Sequence, residues 1–253
     1  MTKTLPKNQN KITRYKFLDL FVDDFDISQI NQIYKGSHIT NLNLEQVVLA
    51  AEDKELKEII VNSELIIPDG EAVVFAFNYL LKDTQNTQSA RDFGVAKPRL
   101  KKLAGIELAQ KLLESKNKIA IFGSTNEVIN KIKKRFAKKI VFAHHGYLNV
   151  GKKDEIEKIA KQIQESKAEL LLVGMGAPLQ EKFINDNKKY FSEIISMGVG
   201  GSLDVFAGKA FRAPQWMIKL KLEWFFRIFQ EPSRLKRIFT SVPKFFALIF
   251  FPR

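Results

Sequence analysis

Short, nearly continuous apolar runs alternate along the chain with segments whose apolar residues recur every three or four positions. Runs of the first kind read as strands buried on both faces, and segments of the second kind as amphipathic helices. "YKFLDLFV" predicts a strand, "ISQINQIYKG" a short helix capped by Asp26, and "HITNLN" a strand entering the helix "LEQVVLAAEDKELKEIIVNS". The strand "ELIIP" then precedes the helix "EAVVFAFNYLL", and a helix is expected at "AGIELAQKLLESK". Strands at "KIAIFGS", "IVFAHH", "AELLLVGMG" and "EIISMGVGG" alternate with helices at "NEVINKIKKRFAK", "KDEIEKIAKQIQESK" and "LQEKFINDNKKYF". This alternation predicts a Rossmann-like α/β fold, a parallel sheet with helices on both faces. Residues 82–100 are polar and nearly core-free, and read as a mobile loop beside the site.

Composition narrows the classes. The chain has 253 residues, enough for one large domain or a domain with an appendage, and its 45% hydrophobic content supports a core. It has no cysteine, which excludes disulfides and thiolate metal sites and favours a reducing compartment. The basic, polar start "MTKTLPKNQNKITRYK" has no apolar segment behind it to act as a signal peptide. The longest charge-free run, Ile140 to Gly151, is twelve residues, against the roughly 18–20 needed to span a bilayer. A cytoplasmic location is therefore expected.

Charge changes the picture at one end. The net charge of +13 calls for an anionic partner. From Lys209 to Arg253 there are ten Lys or Arg and two acids, Glu223 and Glu231, together with both tryptophans and nine of the 21 phenylalanines. Basic residues beside bulky apolar ones fit a membrane surface best, with a partner protein or nucleic acid as the other readings. The expected division is a core of 1–208 and a helical, membrane-associating appendage of 209–253.

Ligands of such sheets bind beyond the carboxyl ends of the strands. Small or polar residues end several strands here: "TNLN", "PDG", "FGST", "HHGY", "GMGAP" and "GVGGSLD". Neither glycine run completes a dinucleotide fingerprint, since Leu179 stands where a third glycine belongs, and there is no P-loop. Gly174, Gly200 and Gly201 are thus open to two readings, ligand contact through backbone N–H groups or plain turn geometry. Asp23, Asp24 and Asp26 contain a DxD, but Asp26 with Gln29 reads as a helix cap. His144 and His145 lack further ligands for zinc, so no metal site is expected. Asp69 ends an apolar strand ahead of a helix rich in Val and Phe. It is either a turn residue or a partly desolvated carboxylate suited to accept a proton.

The block "GVGGSLDVFAGKAFRAPQWMIKLKLEWFFRIFQEPSRLKR", with "PDG", "HHGY" and "GMGAPLQEKFI" in order before it, resembles the WecG/TagA/CpsF bacterial glycosyltransferases, glycosyltransferase family 26, over about Tyr15 to Arg237. The resemblance implies an inverting hexosyltransferase of cell-surface polysaccharide or teichoic acid synthesis. Its donor would be a UDP sugar of N-acetylmannosamine type and its acceptor N-acetylglucosamine on undecaprenyl diphosphate. No cofactor or metal is implied. Asp69 takes the place of the general base and Gln180 of a polar residue facing the sugar. Tyr147 and Asp204 match positions for uracil and ribose, and Arg227, Arg234 and Arg237 match arginines that reach the diphosphate. The sequence departs from the family around Thr40, Asn41 and Asn43, at Glu71-Ala72, and at Lys102, where arginine is usual. These departures concern the sugar pocket.

The expected protein is peripheral on the inner face of the cell membrane. Its expected partners are the UDP sugar, the lipid diphosphate and an anionic bilayer, without nucleic acid, and a homo-oligomer is left open. A non-catalytic sugar-nucleotide or lipid-head-group binder is the alternative, with a basic nucleic-acid binder behind it.

Overall fold

The computed structural model describes residues 12–84, 100–146, 153–232 and 234–251. Six parallel strands form one sheet: β3 (His38–Leu42), β4 (Leu65–Pro68), β5 (Ile119–Gly123), β6 (Ile140–His144), β7 (Leu170–Gly174) and β8 (Ile195–Gly198). Their order across the sheet is β4-β3-β8-β7-β5-β6. The chain therefore builds one edge first, crosses to the other, and returns to fill the centre with β7 and β8. The expected α/β architecture is present.

Side chains alternate between the two faces, as the pleat requires. Ile39, Leu65, Ile67, Ile119, Ile121, Leu170, Leu172 and Met197 pack under α4 (Gly105–Ser115), α5 (Asn126–Arg135) and α8 (Ser202–Phe206). On the opposite face Ile66 and Leu42 meet α1 (Leu44–Glu52), α2 (Lys54–Val61) and α3 (Glu71–Thr84). Further along that face Ala120, Phe122, Leu171 and Val173 meet α6 (Lys153–Glu165) and α7 (Leu179–Asp186).

Three predicted elements come out differently. "YKFLDLFV" is not one strand but parts of a hairpin, β1 (Thr13–Phe17) and β2 (Leu20–Asp24), turned at Leu18 with φ +53°. "LEQVVLAAEDKELKEIIVNS" is two helices, because Asp53 adopts an extended conformation and its side chain caps α2 at the Leu56 N–H. Residues 82–84 close α3 instead of opening a loop, and 85–99 lie outside the described residues.

Asp23 and Asp26, on either side of exposed Asp24 and buried Phe25, have structural partners. Arg14 donates to both Asp23 carboxylate oxygens (2.7 and 2.8 Å) and to the carbonyls of Ser63 and Glu64. Asp23 also accepts the Ile66 N–H, so the hairpin is fastened to edge strand β4. Asp26 caps a 3-10 helix over Ile27–Gln32 in a capping box with Gln29, as its spacing predicts.

After β8 and α8 the chain runs through α9 (Gln215–Lys219), α10 (Glu223–Gln230) and α11 (Arg234–Phe250). The last helix returns to the core: Phe245 and Ile249 are buried in the cluster formed by the hairpin, α1 and α3. No helix among the described residues is long and apolar enough to cross a membrane.

Candidate active site

Asp69 sits where β4 hands over to α3. Its N–H donates to the Leu42 carbonyl (2.9 Å), which ties the turn to neighbouring β3. Gly70 follows with φ +115°, a backbone state that disfavours any side chain and lets the chain turn at once into α3. From the other side, residues 100–104 cross the end of β4, and the Leu103 N–H bonds to the Pro68 carbonyl (3.1 Å). This crossing aims the first turn of α4 at Asp69, whose carboxylate accepts the Gly105 N–H. Gly105 is forced by close approach: a Cβ there would stand 2.7 Å from the amide carbon of Asn41. Asn41 in turn donates to the Gly198 carbonyl (2.7 Å), joining the ends of β3 and β8.

Asp69 keeps some solvent contact, yet lies deep enough among protein atoms that desolvation is the largest influence on it and raises its carboxyl above the usual aspartate range. Arg227, the Gly105 N–H and Lys102 pull the other way, while Glu223 adds to the rise. The outcome is a carboxylate more basic than a free one, with cations beside it.

The ends of β7 and β8 are joined by Gln180. Its Oε1 accepts the N–H groups of Gly176 (3.2 Å) and Gly200 (3.0 Å), and its Nε2 donates to Glu181 (2.8 Å). Gln46 donates to the same Glu181 oxygen (2.6 Å). Glu181 is 1% exposed, and burial raises its carboxyl above the ordinary range against the hydrogen bonds that lower it. Gln180 is thus fixed with its oxygen toward the glycine loops.

The C-terminal helices bring charge to this edge. Lys102 Nζ lies 3.2 Å from Glu223 and 3.8 Å from Glu71, and Lys221 lies 3.0 Å from Glu71. Arg227 pairs with Glu223 (3.2 Å), and Arg212 with Glu107. Burial raises the Glu223 carboxyl, but Arg227 and Lys102 outweigh it and hold the group below the ordinary range.

The structure therefore gathers Asp69, Asn41, Lys102, Gln180, Gly200 and Arg227 at one end of the sheet. The other expected residues lie as follows. Thr40 is buried in β3 with its hydroxyl against Ser63 (2.8 Å), on the α2 side. Asn43 caps α1 at the Gln46 N–H. Gly174 ends β7 and accepts the Ser124 N–H; Gly201 opens α8; Asp204 lies in that helix's first turn, its carbonyl accepting the Lys209 and Ala210 N–H groups. Arg237 bonds Glu231 (2.8 Å) and reaches Glu45 of α1 (3.8 Å), at the margin of the cluster. Tyr147 lies outside the described residues, as does the side chain of Arg234. His144, the last residue of β6, stacks on His145 at 4.5 Å, with burial lowering the His144 pKa.

Sequence reasoning named Glu71 only as a departure from the family near the sugar pocket, and missed Arg212, the part played by Glu223 and the Gln46–Glu181 pair. One signal was available. Glu223 and Arg227 stand four apart on a helical pattern, in a segment with only one other acid.

Residues 15–253 match the model of the glycosyl transferase WecG/TagA/CpsF family. A Bacillus subtilis (strain 168) protein named N-acetylglucosaminyldiphosphoundecaprenol N-acetyl-beta-D-mannosaminyltransferase is 32% identical over 237 residues, 90% of this chain and 84% of that protein. A Staphylococcus aureus (strain MW2) protein of the same name is 32% identical over 223 residues, 85% of this chain and 80% of its own. The chain belongs to the WecG/TagA/CpsF family of glycosyl transferases.

Proposed function

We propose that this chain moves N-acetylmannosamine from a UDP donor to N-acetylglucosaminyl-diphospho-undecaprenol, with inversion, at the inner face of the cell membrane. The names of its relatives supply the transferred sugar and the acceptor. The observation that carries the chemistry is Asp69, a carboxyl raised by burial at the carboxyl edge of the sheet with Arg227 acting on it.

The Asp69 carboxylate takes the proton of the acceptor sugar's hydroxyl as that oxygen bonds to the anomeric carbon of the donor. The bond from that carbon to the diphosphate breaks on the opposite face, which inverts the configuration. The departing UDP takes the electron pair, and the Arg227 guanidinium, with Arg234 and Arg237 of α11, neutralises it. Asn41, Gln180, Gly174, Gly200, Gly201, Asp204 and Tyr147 form the donor pocket in this reading. Turnover needs Asp69 ionised, so activity falls as pH drops through its raised pKa.

A lipid-borne acceptor requires the enzyme at the bilayer surface. Residues 209–253 serve as the appendage that takes the core of 1–208 there. Trp216, Leu220, Trp224, Phe229, Phe239 and Phe251 are all at least half exposed, among the bases Lys219, Lys221 and Lys236. Each base near an anionic leaflet contributes about 1 kcal/mol.

The test is purified protein with UDP-N-acetylmannosamine and a short-chain N-acetylglucosaminyl-diphospholipid in vesicles. UDP release with a β-linked disaccharide lipid is expected. Donor binding without either product would overturn the reading and leave a binding protein.

A further inference from the structure

The attachment of α10 to the core is unusual in kind. Helices usually bury an apolar stripe, yet the one buried residue of α10 is Glu223, while Trp224, Phe225 and Phe229 face outward. The two oxygens of Glu223 are divided: Oε2 lies 3.2 Å from Lys102 Nζ, and Oε1 lies 3.2 Å from Arg227 Nη2. Both members of the first pair are shielded, with Lys102 19% and Glu223 12% exposed at the side chain. Lys102 stands in the segment crossing the end of β4, three residues before the Gly105 that bonds Asp69. Lys221, just ahead of α10, adds a more exposed tie to Glu71.

We propose that Lys102 and Glu223 form an ionic latch that seats α10 on the core and so presents Arg227 to Asp69. Lys102 is then a positioning residue and not a contact of the donor sugar. An ion pair suits this role better than an apolar plug. It fixes the first turn of α10 at a defined place on the core, while Gln230 at the far end holds only the Phe211 backbone (2.8 Å to N and to O), and it leaves the helix's aromatic face free. Glu223 also sets the Arg227 rotamer, because one of its oxygens is reserved for each cation. A diphosphate arriving at Arg227 meets a guanidinium already held in place by Glu223.

The kinetic consequence rests on the proposed transferase activity, but the latch itself does not, so its test begins with amide hydrogen exchange of the full chain. Lys102→Met and Glu223→Gln should each speed exchange over 223–230 by about tenfold, while amides of α7 (179–186) keep their rates. The double variant should be no faster than the faster single one, because either change opens the same contact. Lys102→Arg keeps the cation and should keep wild-type protection. In the transfer assay Lys102→Met should lower kcat by about tenfold with little change in donor KM, and Lys102→Arg should restore it.

Unchanged exchange in α10, or single effects that multiply in the double variant, would overturn the latch. So would equal acceleration of α7, which would make the pair a support of the core. A donor KM that rises in Lys102→Met at constant kcat would return Lys102 to the sugar pocket. Absence of transfer by the wild type would defeat the proposed function while leaving the exchange result to decide the latch.

Discussion

His38 begins β3 fully buried, its Nε2 without a hydrogen-bond partner among the described residues. Desolvation is the largest influence and pushes its pKa down from 6.5 to about 4, with Glu64 raising it and Lys188 lowering it. The unfolded chain therefore binds a proton there that the folded chain does not, between those two pH values. Stability is fully present above pH 6.5 and is lost as pH falls, by about 2 kcal/mol at pH 5. Chemical denaturation of His38→Leu across this range should show a flatter acid limb than wild type, and an identical slope would refute the assignment. Asp69 has the opposite sign. Its carboxyl is raised, so its contribution is present below its unfolded value of 3.8 and declines as pH rises. Asp69→Asn should then be no less stable than wild type at neutral pH. The residue types at the site were legible in the sequence, since a carboxylate between two apolar runs stands out. That Glu223 would pair with both Lys102 and Arg227 beside it was not, because the three meet only through tertiary contact.

At the scale of elements, the alternation of apolar runs and amphipathic segments gave every strand of the main sheet. It failed where the apolar pattern runs through a break. Leu18 and Asp19 turn a hairpin without the usual glycine or asparagine, so nothing local marks the reversal between β1 and β2. Asp53 divides α1 from α2 because its side chain bonds the Leu56 N–H, a cap that reads in sequence as one more polar residue on a helix face. The last helix shows the same limit. Its even spread of Phe residues conceals that Phe245 is fully buried while Phe239 is 73% exposed. Phe245→Ala should cost about 3–5 kcal/mol in denaturant unfolding. Phe239→Ala should cost almost nothing, and equal losses would place α11 wrongly.

At the scale of the whole molecule, the carboxyl ends of β4, β3 and β8 meet the C-terminal helices at one edge, where Lys102 and Arg227 act on Asp69 and α10 exposes Trp224 and Phe229. If that edge faces a bilayer, Trp224→Ser with Phe229→Ser should weaken flotation with anionic vesicles without changing thermal stability. Raised salt should weaken it further. Unaltered flotation would assign the aromatics to another partner. The chain's charge asymmetry announced this end of the molecule in sequence. That Arg227 would come from it to act on Asp69 was implied only by resemblance, because a contact between residues so far apart in sequence leaves no local signature.

The most direct measurement is the rate of sugar transfer by Asp69→Asn at saturating donor and acceptor. A proton acceptor at the reacting hydroxyl predicts a fall of about 10²–10⁴-fold with the fold and UDP affinity retained. A variant keeping more than about a tenth of wild-type turnover would contradict it, since so small a loss is less than general-base catalysis supplies.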